Sequence, residues 1–137
     1  MTTDHLTFQV GPEVSIEEFR LVLLASGLGA RRPVDEPDRL KAMLDNSNVI
    51  VTARLNDELV GIARSVSDIA FCCYLSDLAV SKHAQGRGIG AKLVEMTRRH
   101  VGPNVSVILS SVPEAVAFYE NIDMAPLPNC FWHRRER

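Results

Sequence analysis

The stretch VSKHAQGRGIGAKL, Val80 to Leu93, sets glycines at positions 86, 88 and 90 just before an apolar helical pattern, with Gln85 and Arg87 among them. Such spacing lets backbone N–H groups converge on one anion with no side chain in the way, and a helix starting there adds the positive end of its dipole. The chemistry is the holding of a phosphate, and three kinds of loop compete for it. A mononucleotide loop, G-x-x-x-x-G-K-[ST], fails because Ala91 follows Gly90 and Leu93 follows Lys92, so both lysine and hydroxyl are misplaced. The dinucleotide fingerprint is met formally by Gly86, Gly88 and Ala91. However, SKHAQ separates Val80 from the first glycine, and ILSSV downstream offers no carboxylate for a ribose. A pyrophosphate loop of the form Gln/Arg-x-x-Gly-x-Gly/Ala fits Gln85, Gly88 and Gly90. The N–H groups from Gly86 through Arg87, Gly88 and Ile89 to Gly90 would then hold a diphosphate without a metal.

The elements that must position this loop follow from periodicity. A strand LTFQV precedes a helix SIEEFRLVLLASGL, in which Ser15 and Glu18 match a capping box, and RLKAMLDNS reads as a second helix. NVIVTARL and ELVGIARSV read as a hairpin across NDE. AFCCYLSDLAV is a long strand feeding the loop. Strict alternation puts Tyr74, Ser76, Leu78 and Val80 on one face and Leu75, Asp77 and Ala79 on the other. A helix follows from Gly88, with Ile89, Leu93, Met96 and His100 or Val101 on its apolar stripe. VSVILS is then a strand fit for burial on both faces, PEAVAFYENI a short helix, and MAPLPNCFWHRR an irregular terminal strand or pair. The sum is an α/β domain spanning 1–137, with one mixed sheet, helices on both faces and a parallel crossover at the glycine loop. The ligand belongs at the carboxyl end of the strand that feeds it.

With 137 residues and a net charge of -2, the chain has one core and no general attraction to nucleic acid or membrane. Cys72, Cys73 and Cys130 form no C-x-x-C pair and are read as reduced packing residues, and the four histidines show no ligand spacing, so no metal is expected. MTTDHLTFQV lacks a signal-peptide pattern and no apolar run approaches the roughly 18 residues of a bilayer span, which points by default to the cytoplasm.

The glycine loop resembles the acetyl-CoA-binding motif of the GNAT superfamily of N-acetyltransferases. PEAVAFYENIDM is similar to that family's second signature, an Ala-x-x-Phe-Tyr helix ahead of the last strands. The resemblance implies a mostly antiparallel sheet with a central, splayed parallel pair. The pantetheine arm would lie in the gap on the backbone of Leu78, Ala79 and Val80, with Phe118 beside the cofactor. Two positions depart from the family: Val112 stands where asparagine is common, and Asp123-Met124 where a glycine-aromatic pair is usual. A looser similarity of VGIARSVSDIAF, SDLAV and the terminal FW to arylalkylamine acetyltransferases points to a small primary amine as acceptor.

Acetyl transfer needs a neutral amine, a stabilised oxyanion and a proton for the departing thiolate. A primary amine of pKa about 10.4 is neutral in only about one molecule in two thousand at pH 7. Asp77, on the strand beside the backbone contacts, is either the base that acts through a water or a structural carboxylate. By resemblance Tyr119 is the acid, and a backbone N–H near Ala79 holds the oxyanion. His83 could touch phosphate; Phe71, Tyr74 and Trp132 fit an acceptor pocket or the core; Asp35, Glu36 and Asp38 suit either a cationic amine or a helix N-terminus. The expected activity is acetyl-CoA-dependent N-acetylation by direct attack. The alternatives are a non-catalytic acyl-CoA sensor and an enzyme acting on a protein or peptide, and a homodimer stays open.

Overall fold

The computed structural model describes residues 4–137. Strand β1 (Leu6–Val10) leads into helix α1 (Ile16–Ser26), where the Ser15 side chain accepts from the Glu18 N–H and the Glu18 side chain accepts from the Ser15 N–H, completing the capping box. Gly27, at φ 89°, ends α1 in the left-handed conformation, and a 3-10 turn follows at Leu28–Arg31. Helix α2 spans Pro37–Asp45, with proline in its first turn. Strands β2 (Val49–Leu55) and β3 (Glu58–Ser67) form the hairpin; Asn56 and Asp57 both take positive φ, the tight-turn geometry that NDE implies. Strand β4 (Cys72–Val80), helix α3 (Ile89–Val101), strand β5 (Ser106–Ile108) and helix α4 (Val116–Asn121) complete the order.

The sheet runs β1-β2-β3-β4-β5, antiparallel except for the parallel β4–β5 pair. Two apolar clusters cover its faces. Phe19, Leu23 and Leu40 from α1 and α2 pack on Leu59, Ile62 and Ala79, while Ile89, Leu93 and Val94 of α3 pack on Val51, Val60 and Leu75.

Some expectations are corrected. β4 does not alternate strictly: Leu75 joins the α3 cluster together with Leu78 and Val80, whereas Ala79 joins the α1–α2 cluster. The cause is a register slip, with Arg64 facing Asp77 and Ser65 facing Leu75, so that Ser76 is an extra residue and the faces exchange there. On α3 the expected stripe holds, with Ile89 and Leu93 buried and Met96 packed on the core; of the two alternatives at its end Val101 is buried and His100 faces solvent, and Val94 and Thr97 are buried as well. Finally, β5 has three residues, half-buried or exposed, and the parallel pair lies at the edge of the sheet. MAPLPNCFWHRR adds no strand, its prolines being unable to donate to a ladder, and Phe131 and Trp132 are exposed.

Candidate active site

β4 and β5 share only three paired positions, Cys72 with Ser106, Cys73 with Val107 and Tyr74 with Ile108. Beyond Tyr74, β4 continues six residues to Val80, paired with β3 on one edge and, among the described residues, with no strand on the other. The strands therefore part, and the backbone of Leu78, Ala79 and Val80 borders the gap. Their side chains stay with the core: Ala79 is buried under α1, and Leu78 and Val80 pack toward α3. What they offer a ligand is peptide N–H and C=O.

The loop opens at the end of this strand. Gln85 Nε2 donates to the Val80 carbonyl at 3.0 Å, which folds the loop back on the strand it leaves. Gly86 and Gly88 stand at φ 85° and 75°, and a Cβ at either would meet nothing within 4 Å, so glycine is needed there for conformation rather than for space. The first helical bond of α3 runs from the Lys92 N–H to the Gly88 carbonyl, 3.1 Å, leaving the N–H groups of Ile89, Gly90 and Ala91 without an acceptor inside the helix. Such donors, with the positive end of the helix dipole, are suited to hold an anion. Ile89 contributes only backbone, its side chain being buried, and Arg87 is turned to Asp4 at 2.9 Å. Gly90 answers to space: a Cβ there would lie 3.0 Å from Phe118 Cζ, so the loop and α4 touch at this point.

Tyr119 follows Phe118 in α4, half-buried, its ring edge-on to Phe118 with centroids 5.1 Å apart. Burial raises its phenol above the usual tyrosine value, and the charge of Arg32 partly opposes this. At neutral pH Tyr119 holds its proton.

Asp77 is wholly buried, between two guanidinium groups. Arg32 Nε meets one carboxylate oxygen and Arg64 Nε the other, each at 2.5 Å. Arg64 further reaches Ser47 Oγ at 2.9 Å and Ser76 Oγ at 3.0 Å, and Arg32 Nη2 donates to the Ser76 carbonyl at 2.8 Å. Both arginines were missed from sequence. For Arg64 the available signal was an arginine and an aspartate, each inside an apolar strand pattern, on neighbouring strands of one sheet; Arg32, in the polar connection after α1, gave none.

The remaining candidates scatter. Phe71, Tyr74 and Trp132 are exposed and outside the core. Glu36 stands at the N-cap position of α2 without a side-chain capping bond and pairs with Arg39 at 3.5 Å, with Asp35 and Asp38 exposed beside it. His83 faces Glu58 at 3.8 Å, Cys73 is buried, and Cys72 is exposed. Among the described residues no group of three or more His, Cys, Asp or Glu could hold a metal, and no helix is long and apolar enough to cross a membrane. Two surface concavities, of about 650 and 520 Å³, lie against α1–α2 and between α3 and β5; neither takes in Tyr119 or the end of β4. The candidate site is the gap left where β4 and β5 cease to pair.

A histone acetyltransferase of Glycine max, TAP1, is 28% identical over 153 residues, covering 96% of this chain; the chain spans 63% of that relative's length. A GNAT-family acetyltransferase of Streptococcus pneumoniae superposes with a TM-score of 0.73 at 23% identity, covering 96% of this chain and all of its own. An aminoglycoside N-acetyltransferase solved with CoA superposes equally well at 13% identity, covering 99% of this chain and 98% of its own. Residues 30–125, from the arginine-bearing turn to the end of the α4 signature, match the acetyltransferase (GNAT) domain, and the chain belongs to that family.

Proposed function

We propose that the protein is an acetyl-CoA-dependent N-acetyltransferase acting on a small primary amine by direct attack in a ternary complex. The observation that carries this reading is the parting of β4 from β5 beside a loop whose N–H groups lack helical acceptors. The diphosphate of the donor lies on Gly86–Gly90, and the pantetheine arm bonds to the backbone of Leu78–Val80. The amine nitrogen attacks the acetyl carbonyl carbon, the C–S bond breaks, and Tyr119 gives its proton to the departing sulfur while the amine proton leaves to solvent; Tyr119 regains a proton from solvent before the next turnover. A phenol is a weaker acid than a thiol, so this transfer is uphill by roughly 2 kcal/mol. The half-buried surroundings that raise the phenol also disfavour a bare thiolate, and Arg32 offsets part of the cost. Asp77 serves as an anchor rather than the base, because both of its oxygens are engaged by guanidinium groups. A peptide or protein acceptor is the second reading, favoured by the histone acetyltransferase named among the relatives. Tyr119→Phe tests the assignment: turnover should fall about 100-fold or more while the Kd for CoA holds within about two-fold. Unchanged turnover removes Tyr119 as the acid.

A further inference from the structure

The slip in β4 falls where the two parallel strands separate: pairing with β5 ends at Tyr74, and Ser76 is the unpaired residue. An extra residue costs its peptide groups their ladder partners and bends the strand, so a bulge persists only where other groups satisfy it. Here the Ser76 carbonyl accepts from Arg32 Nη2 and the Ser76 hydroxyl accepts from Arg64 Nη2. Asp77, the next residue, binds the Nε of both arginines. Arg32 arrives from the α1–α2 connection and Arg64 from β3, so the bulge is gripped from two directions.

The grip also locks the register. If Ser76 slipped into the ladder, every residue upstream or downstream would change face, and Asp77 would turn toward the apolar cluster under α3. A carboxylate cannot enter that cluster unpaired, whereas on its present face it finds two cations.

We propose that Arg32 and Arg64 are positioning residues for acyl transfer: by holding Ser76 and Asp77 they fix the bulge, and so the direction in which Leu78, Ala79 and Val80 present peptide groups to the acyl donor. The inference rests on the donor-site reading above. Neither arginine need touch the substrate. The diphosphate loop begins only after Val80, so losing the grip should misplace the acyl group more than it weakens CoA binding.

Arg32→Ala is the test, since the Arg32 side chain is 21% exposed and its removal leaves a gap that free guanidinium ion can enter. Amide hydrogen exchange, kcat with the best acceptor amine and the Kd for CoA are measured with and without millimolar guanidinium. Exchange across 75–80 should quicken about ten-fold or more, with residues 60–63 unchanged on their β2 side. Turnover should fall about ten- to one hundred-fold, the scale of a misplaced reactant, with the CoA Kd within about three-fold, and guanidinium should restore both exchange and turnover. Arg32→Lys, which keeps the charge but cannot fork to Asp77 and Ser76 together, should show the same pattern more mildly and serves if the alanine variant does not fold. Unchanged exchange across 75–80 overturns the proposal. So does a loss of turnover and CoA affinity in common proportion that guanidinium does not restore. Wild-type protein that binds no CoA and acetylates no amine would sink the donor reading instead, and the exchange profile would still decide whether the arginines hold the bulge.

Discussion

Replacing Asp77 by asparagine separates the two roles open to this carboxylate. Its side chain is fully buried, with Arg64 8% and Arg32 21% exposed, so the substitution leaves two guanidinium groups with no counter-charge. The amide also turns an NH2 toward one guanidinium, donor against donor. Breaking a buried pair from one side costs about 3–5 kcal/mol, and the partial hydration of Arg32 places this case near the lower end, about 3 kcal/mol. For a chain of this length 1 kcal/mol corresponds to roughly 3–5 °C in Tm, so Tm should fall by about 10–15 °C. The assay is thermal unfolding followed by circular dichroism, alongside a pH–rate profile at a temperature where the variant stays folded. As an anchor, Asp77 leaves the acidic limb of that profile in place. A general base would give the opposite result: Tm within about 2 °C of wild type, turnover down by about two to four orders of magnitude and a flattened acidic limb. That outcome would refute the ion-pair reasoning.

Other positions give independent checks. Asp123 takes φ 66° directly after α4, where the family commonly has glycine; Asp123→Gly should raise stability by about 0.5–1 kcal/mol in denaturant titration, and a loss would contradict the strain argument. Gly90→Ala places a methyl 3.0 Å from Phe118 Cζ, so the Phe118 ring must give by a few tenths of an ångström and presses on its neighbour Tyr119; turnover should drop several-fold, and adding Phe118→Leu should recover it. The Asp68 carboxylate accepts from the N–H groups of Ala70, Phe71 and Cys72, which lower its pKa from 3.8 to about 2. A depressed carboxylate stabilises fully above the unfolded value and loses that contribution as pH falls through the folded one. The stability gap between wild type and Asp68→Asn should therefore be complete above about pH 4 and close toward pH 2; a gap independent of pH across this window would contradict it.

Much of the scaffold was legible because its signals are local. Ser15 with Glu18 marks the start of α1 through reciprocal side-chain caps, while Asn56-Asp57 mark the hairpin and Gly86 and Gly88 the loop through a positive φ that few residues adopt. The face of Asp77 was not legible, since it depends on a bulge whose partners lie 44 residues upstream at Arg32 and 12 upstream at Arg64. Alternation reads a strand as regular, and one extra residue inverts the answer. The tail failed for another reason: a strand exists only by pairing, and with Pro126 and Pro128 interrupting it the aromatic pair Phe131-Trp132 has an apolar composition without a ladder to join. In the site, the backbone groups could be located from their order along the chain, whereas the arginine grip needed the register.

The most direct test of the account is release of CoA thiol from acetyl-CoA by the wild-type protein and by Tyr119→Phe, across a panel of arylalkylamines, polyamines and peptides. Amine-dependent release is expected with at least one small primary amine, strongly reduced in the variant although it still binds CoA. Release with none of them, from protein that binds CoA, would make the chain a CoA-binding domain without transferase activity.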